Sequence, residues 1–333
     1  MFAVACGKNI EIRKISDGTL IRTLFGHTFC VSKIEFSLDF KLLASGSYGK
    51  RIKIWNVSNG RLLRNIDGNR SFIMSLVFSV NNKLLLSGYD NNTVKIFKVS
   101  DGTLIRTIDG HTFWVTSIAF SIDRKFVAYG SQNNSIRLWN ISNGRLRLTL
   151  DGHTNWTMAL AFSTNREWIA SGSDDNTIKL WELYDGTLIR TFIGHTQYVR
   201  SLAFSMDNEL LASGSFDKTI KIWNVSDGTL IQTFEDDKVI SIVFNMDDTL
   251  LISGSFDNTI KIWKISDGTL QQTIQYSYDF KVNCIATPSY AGLMTKKLKR
   301  RKNLVNGFLF GGFTSKFVHK IGPTIFYDIW SLV

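Results

Sequence analysis

Short apolar runs separated by polar turns recur along the whole chain. Residues 199–205 (VRSLAFS), 210–215 (LLASGS), 219–225 (TIKIWNV) and 230–234 (LIQTF) are each rich in aliphatic or aromatic residues and bounded by polar ones. That pattern predicts four antiparallel strands, a to d. In the third run Ile220 and Ile222 fall on one face and Lys221 and Trp223 on the other, the period of two of a pleated strand. Ser226-Asp227-Gly228 supplies the turn from c to d, with Gly suited to a positive φ.

The unit repeats. Trp55, Phe97, Trp139, Trp181 and Trp223 are spaced by 42 residues, Trp263 follows after 40, and Gly-His-Thr returns at 26–28, 110–112, 152–154 and 194–196. A period of about 40 to 45 residues marks four-stranded propeller blades rather than independent domains. One such sheet, apolar on both faces, must stack on neighbours, and ring closure gives every blade two. Strand a is expected seven times, starting near Val31, Ile73, Val115, Thr157, Val199, Val239 and Val282. The amino terminus supplies only b, c and d, over 2–7, 10–15 and 20–24, while 282–287 is an a strand without obvious partners. Pairing the two predicts an all-β, seven-bladed ring whose last blade is shared by both chain ends and which leaves no open edge. The rival is an eighth, degenerate blade that uses 308–313 as strand b.

On these residues the chain resembles the WD-repeat (WD40) β-propellers over residues 1 to about 288. The family's marks stand here as Gly194-His195 between strands d and a, Ala212 to Ser215 in strand b, Asp217 in the b–c hairpin and Trp223 at the end of strand c. The residue after Trp is Asn56, Asn140, Glu182, Asn224 or Lys264, never Asp, at a place that the family leaves variable. The resemblance implies that Trp donates its indole N–H into a chain through Ser and His to Asp. His153, Ser171, Asp175 and Trp181 form one complete tetrad, and His195, Ser213, Asp217 and Trp223 another. The remaining units are incomplete. The first has His27, Ser45 and Trp55 but Gly49 for Asp; the second has Asn69, Ser87, Asn91 and Phe97. The third has His111, Tyr129, Asn133 and Trp139, and the sixth has Ser253, Asp257 and Trp263 without His. A Ser/His/Asp set also has the side chains of a catalytic triad. A nucleophile is normally unique, whereas this set is repeated and tied to Trp, so a scaffold network is expected and no catalytic residue is assigned.

Composition narrows the classes. Cys6, Cys30 and Cys284 lie far apart in sequence with no CxxC pair, so neither a disulfide framework nor a thiolate metal site is suggested. No metal-spaced cluster or phosphate-binding glycine loop is present, and no metal or cofactor is expected. Without a secretory leader or a run of roughly 18 apolar residues, membrane insertion is not expected, and the reading is intracellular and cytoplasmic, with the nucleus as the alternative. Net charge is +11, but residues 281–333 hold nine Lys or Arg against the single acid Asp328, so the body is nearly neutral. Both prolines, Pro288 and Pro323, fall in that last segment. The domain division expected is therefore a propeller over 1–288 and a basic, then aromatic, extension over 289–333. Its run Lys296, Lys297, Lys299, Arg300, Arg301 and Lys302 suits nuclear import or contact with nucleic acid, and equally a solvated link.

If the recurring residues hold the scaffold, those that differ between units hold specificity. Three places after the histidine position come Cys30, Phe72, Trp114, Trp156 and Tyr198; two further on come Ser32, Met74, Thr116, Met158 and Arg200. Before the b–c aspartate position stand Tyr48, Asp90, Gln132, Asp174, Phe216 and Phe256. Aromatic and Arg side chains dominate interface energy, so Tyr48, Phe72, Trp114, Trp156, Met158, Tyr198, Arg200, Phe216 and Phe256 are the candidate partner-binding residues. The resemblance places them on the face where the family commonly receives peptides or proteins. The expected role is a noncatalytic scaffold or adaptor, monomeric within a larger complex; the alternative is a nuclear or nucleic-acid-associated factor recruited through 296–302.

Overall fold

The computed structural model describes residues 1–68, 71–79, 81–91, 93–109, 114–121, 123, 125–276 and 282–287. Among the described residues 28 strands form seven four-stranded antiparallel sheets. Blades 1 to 6 each take four consecutive strands, a to d, over 31–67, 73–109, 115–150, 157–192, 199–235 and 239–275. Blade 7 closes the ring: strand a is Val282–Ala286, and b, c and d are Phe2–Cys6, Asn9–Arg13 and Leu20–Leu24. Ala3 pairs with Ala286 and Ala5 with Cys284, so the two chain ends share one sheet. The ring has seven blades, and the segment 308–313 of the eight-bladed rival lies outside the described residues.

Register follows the repeat. In blade 5 Leu211 lies opposite Trp223 and Val199 opposite Ser215. A bulge follows between Ile222 and Trp223 where strand c meets d, and it returns at Trp55, Phe97, Trp139, Trp181 and Trp263. A bulge sharpens the local twist, which suits a blade that must splay from the axis outward.

The core lies between blades rather than within them. Ala212, Ile220, Ile222 and Phe234 of blade 5 pack with Val239, Ile242, Leu251 and Trp263 of blade 6. Burying each such large side chain contributes about 1.5–3 kcal/mol, and the same seam recurs around the ring. The glycine of Ala-Ser-Gly-Ser makes it close. A Cβ on Gly214 would stand 2.5 Å from Val239 Cγ1, so strand a of the next blade rests directly on bare backbone.

The rim carrying the a–b and c–d turns has clamps of its own. Arg22 donates to the carbonyls of Ser58 and Asn59, both at 2.9 Å, and Arg190 to those of Ser226 at 2.8 Å and Asp227 at 2.6 Å. Gln272 does the same to Asp17 at 2.8 Å and ties blade 6 to blade 7. Each guanidinium or amide thus satisfies turn carbonyls of the next blade. Cys6, Cys30 and Cys284 are free thiols; Cys6 and Cys284 sit on paired strands but in different core clusters.

Candidate binding face

The two complete tetrads are assembled as the spacing suggests. Trp181 Nε1 donates to Ser171 Oγ at 2.8 Å, His153 Nε2 meets the same oxygen at 2.8 Å, and His153 Nδ1 meets Asp175 Oδ2 at 2.7 Å. The blade 5 counterparts are 2.8, 2.7 and 2.7 Å. Burial opposes ionisation of Asp175 and Asp217, but hydrogen bonds from the imidazole, from Thr177 or Thr219 and from a backbone N–H hold both carboxyls well below the usual range. Ser171 and Ser213 are fully buried and each contacts both the indole and the imidazole, which is the geometry of a strut.

The incomplete units are rebuilt with other side chains. Blade 1 keeps His27 on Ser45 at 2.7 Å and Trp55 on Ser45 at 2.8 Å; with no acid beside it, burial and then the charge of Lys53 push the His27 imidazole down to about 4. In blade 2 Ser87 donates instead to the hydroxyl of Tyr89 at 2.8 Å, a residue buried under the Phe97 ring's cluster. Blade 3 has Tyr129 at the serine position, 6.4 Å from Trp139, and the Trp139 indole N–H is buried without an acceptor among the described residues. His111 and Asn69 lie outside the described residues.

In blade 6 the sequence reading placed Asp257 in the network, but Asp257 instead caps its own turn through Thr259. The acid in use is Asp236, directly after strand d. It accepts from Ser253 Oγ at 2.5 Å, which in turn receives Trp263 Nε1 at 2.9 Å, and it pairs with Lys261 Nζ at 2.6 Å. Tyr276, the equivalent position before blade 7, donates to Glu11 at 2.7 Å beside Arg13. Two units that lost the histidine thus gained a polar residue at the glycine place of Gly-His.

The d–a and b–c turns share the opposite rim, and there the candidate residues surface. Trp114 is 55% exposed, Phe256 54%, Tyr48 44%, Tyr198 43%, and Phe72 and Trp156 42%. Met158, Arg200 and Phe216 are half-buried. Ring contacts bring some of them together. Tyr198 stands 5.5 Å from Phe216, Phe216 is 6.5 Å from Phe256, and Tyr48 is 5.7 Å from Phe72. Cations cover these rings: Arg200 lies 5.6 Å from the Phe216 centroid, Lys238 5.8 Å from both Phe216 and Phe256, and Lys50 5.7 Å from Phe72. Ring contacts thus join Tyr198, Phe216 and Phe256 on blades 5 and 6, and Tyr48 and Phe72 on blades 1 and 2.

Arg200 is the most constrained member. Burial draws its guanidinium down, opposed by Asp174 of blade 4 and Tyr48 of blade 1. Burial likewise pushes the Asp174 carboxyl up, with Arg200 opposing, and its Oδ1 is buried without a hydrogen bond among the described residues. Lys238 and Lys50 escaped the sequence reading because a cation between aromatic units reads as a turn residue until the rings stand around it. Arg22, Arg64, Arg106 and Arg190 recur at the repeat's phase, a signal that would have announced the clamps.

Among the described residues no cluster of His, Cys, Asp and Glu could hold a metal ion, and no helix is long and apolar enough to cross a membrane. The basic run Lys296 to Lys302 and the rest of 289–333 lie outside the described residues. A family model for the WD domain, G-beta repeat, matches residues 18–56, 60–98, 102–140, 144–182, 186–224 and 228–264, well over half of the chain. Each match runs from near a c–d turn to the end of strand c in the next blade, which is why six matches accompany seven blades. No curated protein matches the chain.

Proposed function

The chain belongs to the WD40 family, and from that premise we propose that it is a noncatalytic scaffold that holds peptide or protein partners on the rim built by its d–a and b–c turns. Propellers of this family generally serve protein interaction. The observation that carries the reading here is the cluster of Tyr198, Phe216 and Phe256 with Arg200 and Lys238 over the rings. Exposed aromatics held in place by cations lose little freedom on binding, and residues of these types often carry ~2 kcal/mol or more of interface energy each. The tetrads support the same division of labour, since their buried serines are spent on struts and leave the rim to specificity.

The test is quantitative affinity capture with wild type and a Tyr198→Ala/Phe216→Ala/Phe256→Ala variant, both checked for folding by circular dichroism. Loss of specifically captured proteins from the folded variant is expected. Retention of every one would exclude this cluster as the binding face.

A further inference from the structure

Blade 1 keeps three members of the tetrad, with Gly49 where blades 4 and 5 have Asp175 and Asp217. In those two blades the carboxylate joins two donors of the d–a turn. One is the imidazole Nδ1, at 2.7 Å in both; the other is the next backbone N–H, of Thr154 or Thr196, at 3.0 Å in both. The same donors in blade 1 are His27 Nδ1 and the Thr28 N–H, and neither has a hydrogen-bond partner among the described residues. Ser45 Oγ accepts from the Trp55 indole at 2.8 Å, and of its own acceptors His27 Nε2 at 2.7 Å is much nearer than the Lys53 carbonyl at 3.5 Å. Ser45 therefore donates to Nε2, which assigns the ring hydrogen to Nδ1. Two donors that hold a carboxylate in blades 4 and 5 are unmatched in blade 1. Even blade 6, which lost its histidine, supplies an acid in Asp236.

The charge and the cover around these donors point to what meets them. Lys50, Arg51 and Lys53 follow Gly49 on the same hairpin. Arg51 pairs with Asp67 at 3.5 Å, whereas Lys50 and Lys53 form no ion pair with a described residue. No acid acts on Lys53, whose charge bears instead on His27. A negative group here would meet a buried imidazole N–H, a backbone N–H and two unpaired cations, where charge-assisted hydrogen bonds are strongest. His27 is 7% exposed, the same as His153 and His195, so something covers it in place of a carboxylate. That cover is Phe29, whose Cδ2 would lie 2.9 Å from a Cβ on Gly49. The ring is 59% exposed, which makes it a cover that can swing rather than a piece of the core. Beside it stand Tyr48 and Phe72, exposed and 5.7 Å apart.

Resting on the reading that this rim receives proteins, we propose that blade 1 takes its fourth tetrad member from the partner. An Asp or Glu side chain of the bound segment displaces the Phe29 ring and accepts from His27 Nδ1 and the Thr28 N–H, while Phe29, Tyr48 and Phe72 pack on the residues beside it. The probe is a library of random twelve-residue peptides displayed on phage and selected on the full chain. The most enriched peptide is then synthesised, and each of its acids is changed in turn to the matching amide. On wild type one such change should weaken binding roughly tenfold or more, about the worth of one charge-assisted hydrogen bond, and the parent peptide should shift the His27 imidazole signals in NMR. Gly49→Asp, which supplies the acid from within, should make acid and amide peptides bind alike; Gly49→Ala should keep the preference. If Gly49→Asp does not fold, Lys53→Met should narrow the preference instead. Enriched peptides without a required acid, or a preference unchanged in Gly49→Asp, would overturn the proposal and leave the rim reading standing. Binding that survives Phe29→Ala/Tyr48→Ala/Phe72→Ala would place the peptide off this part of the rim and overturn it too. Selection of no peptide at all would count against both readings.

Discussion

Gly49→Asp restores the acid that blade 1 lacks, and the structure allows its effect to be worked out. The turn is already shaped for it: Gly49 N–H donates to Ser47 Oγ at 3.0 Å, just as Asp175 N–H donates to Ser173 Oγ at 3.0 Å. The new Cβ would stand 2.9 Å from Cδ2 of Phe29, but that ring is 59% exposed and can swing away. By analogy with Asp175, the carboxylate would accept from His27 Nδ1 and the Thr28 N–H, as Asp175 does from His153 and Thr154 at 2.7 and 3.0 Å. Charge-assisted hydrogen bonds are worth about 1.5–3 kcal/mol each before the carboxylate's desolvation is subtracted, so a net gain of about 1–2 kcal/mol at neutral pH is expected.

The pH dependence gives a second readout with a definite sign. In wild type the folded imidazole of His27 takes a proton only near 4, against 6.5 ordinarily. Between those values the unfolded chain binds the extra proton, so stability falls as pH drops from 6.5 to 4, by about 3 kcal/mol in all. A carboxylate on Nδ1 raises the folded value and removes most of that loss. The assay is urea denaturation at pH 7 and pH 5, with Gly49→Ala as the control for backbone freedom, plus NMR titration of His27. Gly49→Asp no more stable than Gly49→Ala, with His27 still titrating near 4, would refute the reasoning.

Three further outcomes follow from the networks. Trp139→Phe should cost about 1 kcal/mol or less in urea denaturation because its indole N–H has no acceptor among the described residues, whereas Trp181→Phe, which breaks the bond to Ser171, should cost roughly 2–4 kcal/mol. Asp236→Ala leaves Lys261 and Ser253 without their acceptor and should destabilise by ~3 kcal/mol, with Asp236→Leu/Lys261→Met recovering part of it; a loss under ~1 kcal/mol for the single change would contradict the network. Native-state hydrogen exchange should show slower opening of the strands in blades 4 and 5 than in blade 2, which lacks both indole and imidazole; the reverse order would mean that the tetrads do not set local rigidity.

The ring was legible because its signals are local and repeated: Trp at a fixed phase, a polar turn every few residues and an orphan a strand to match an orphan b, c and d. The two full tetrads were legible for the same reason. Blade 6 was not. Asp257 occupies the familiar place and is turned toward its own hairpin, while Asp236 does the work from a segment two residues shorter, where alignment by spacing fails. The rim was legible as a list of residues but not as a surface. Sequence position gives Tyr198, Phe216 and Phe256 equal standing with Tyr48 and Phe72, and only the structure shows which of these rings meet.

The claim that recurring residues hold the scaffold and exceptional ones hold the partner is tested most directly by measuring melting temperature and partner capture side by side. The pair compared is Ser171→Ala/Ser213→Ala, which cuts both struts, and Tyr198→Ala/Phe216→Ala/Phe256→Ala, which strips the rim. The first should melt several degrees lower and, below its transition, capture the wild-type set of partners; the second should melt close to wild type and lose them. Partner loss from the serine variant while it is folded, together with full capture by the rim variant, would contradict the account.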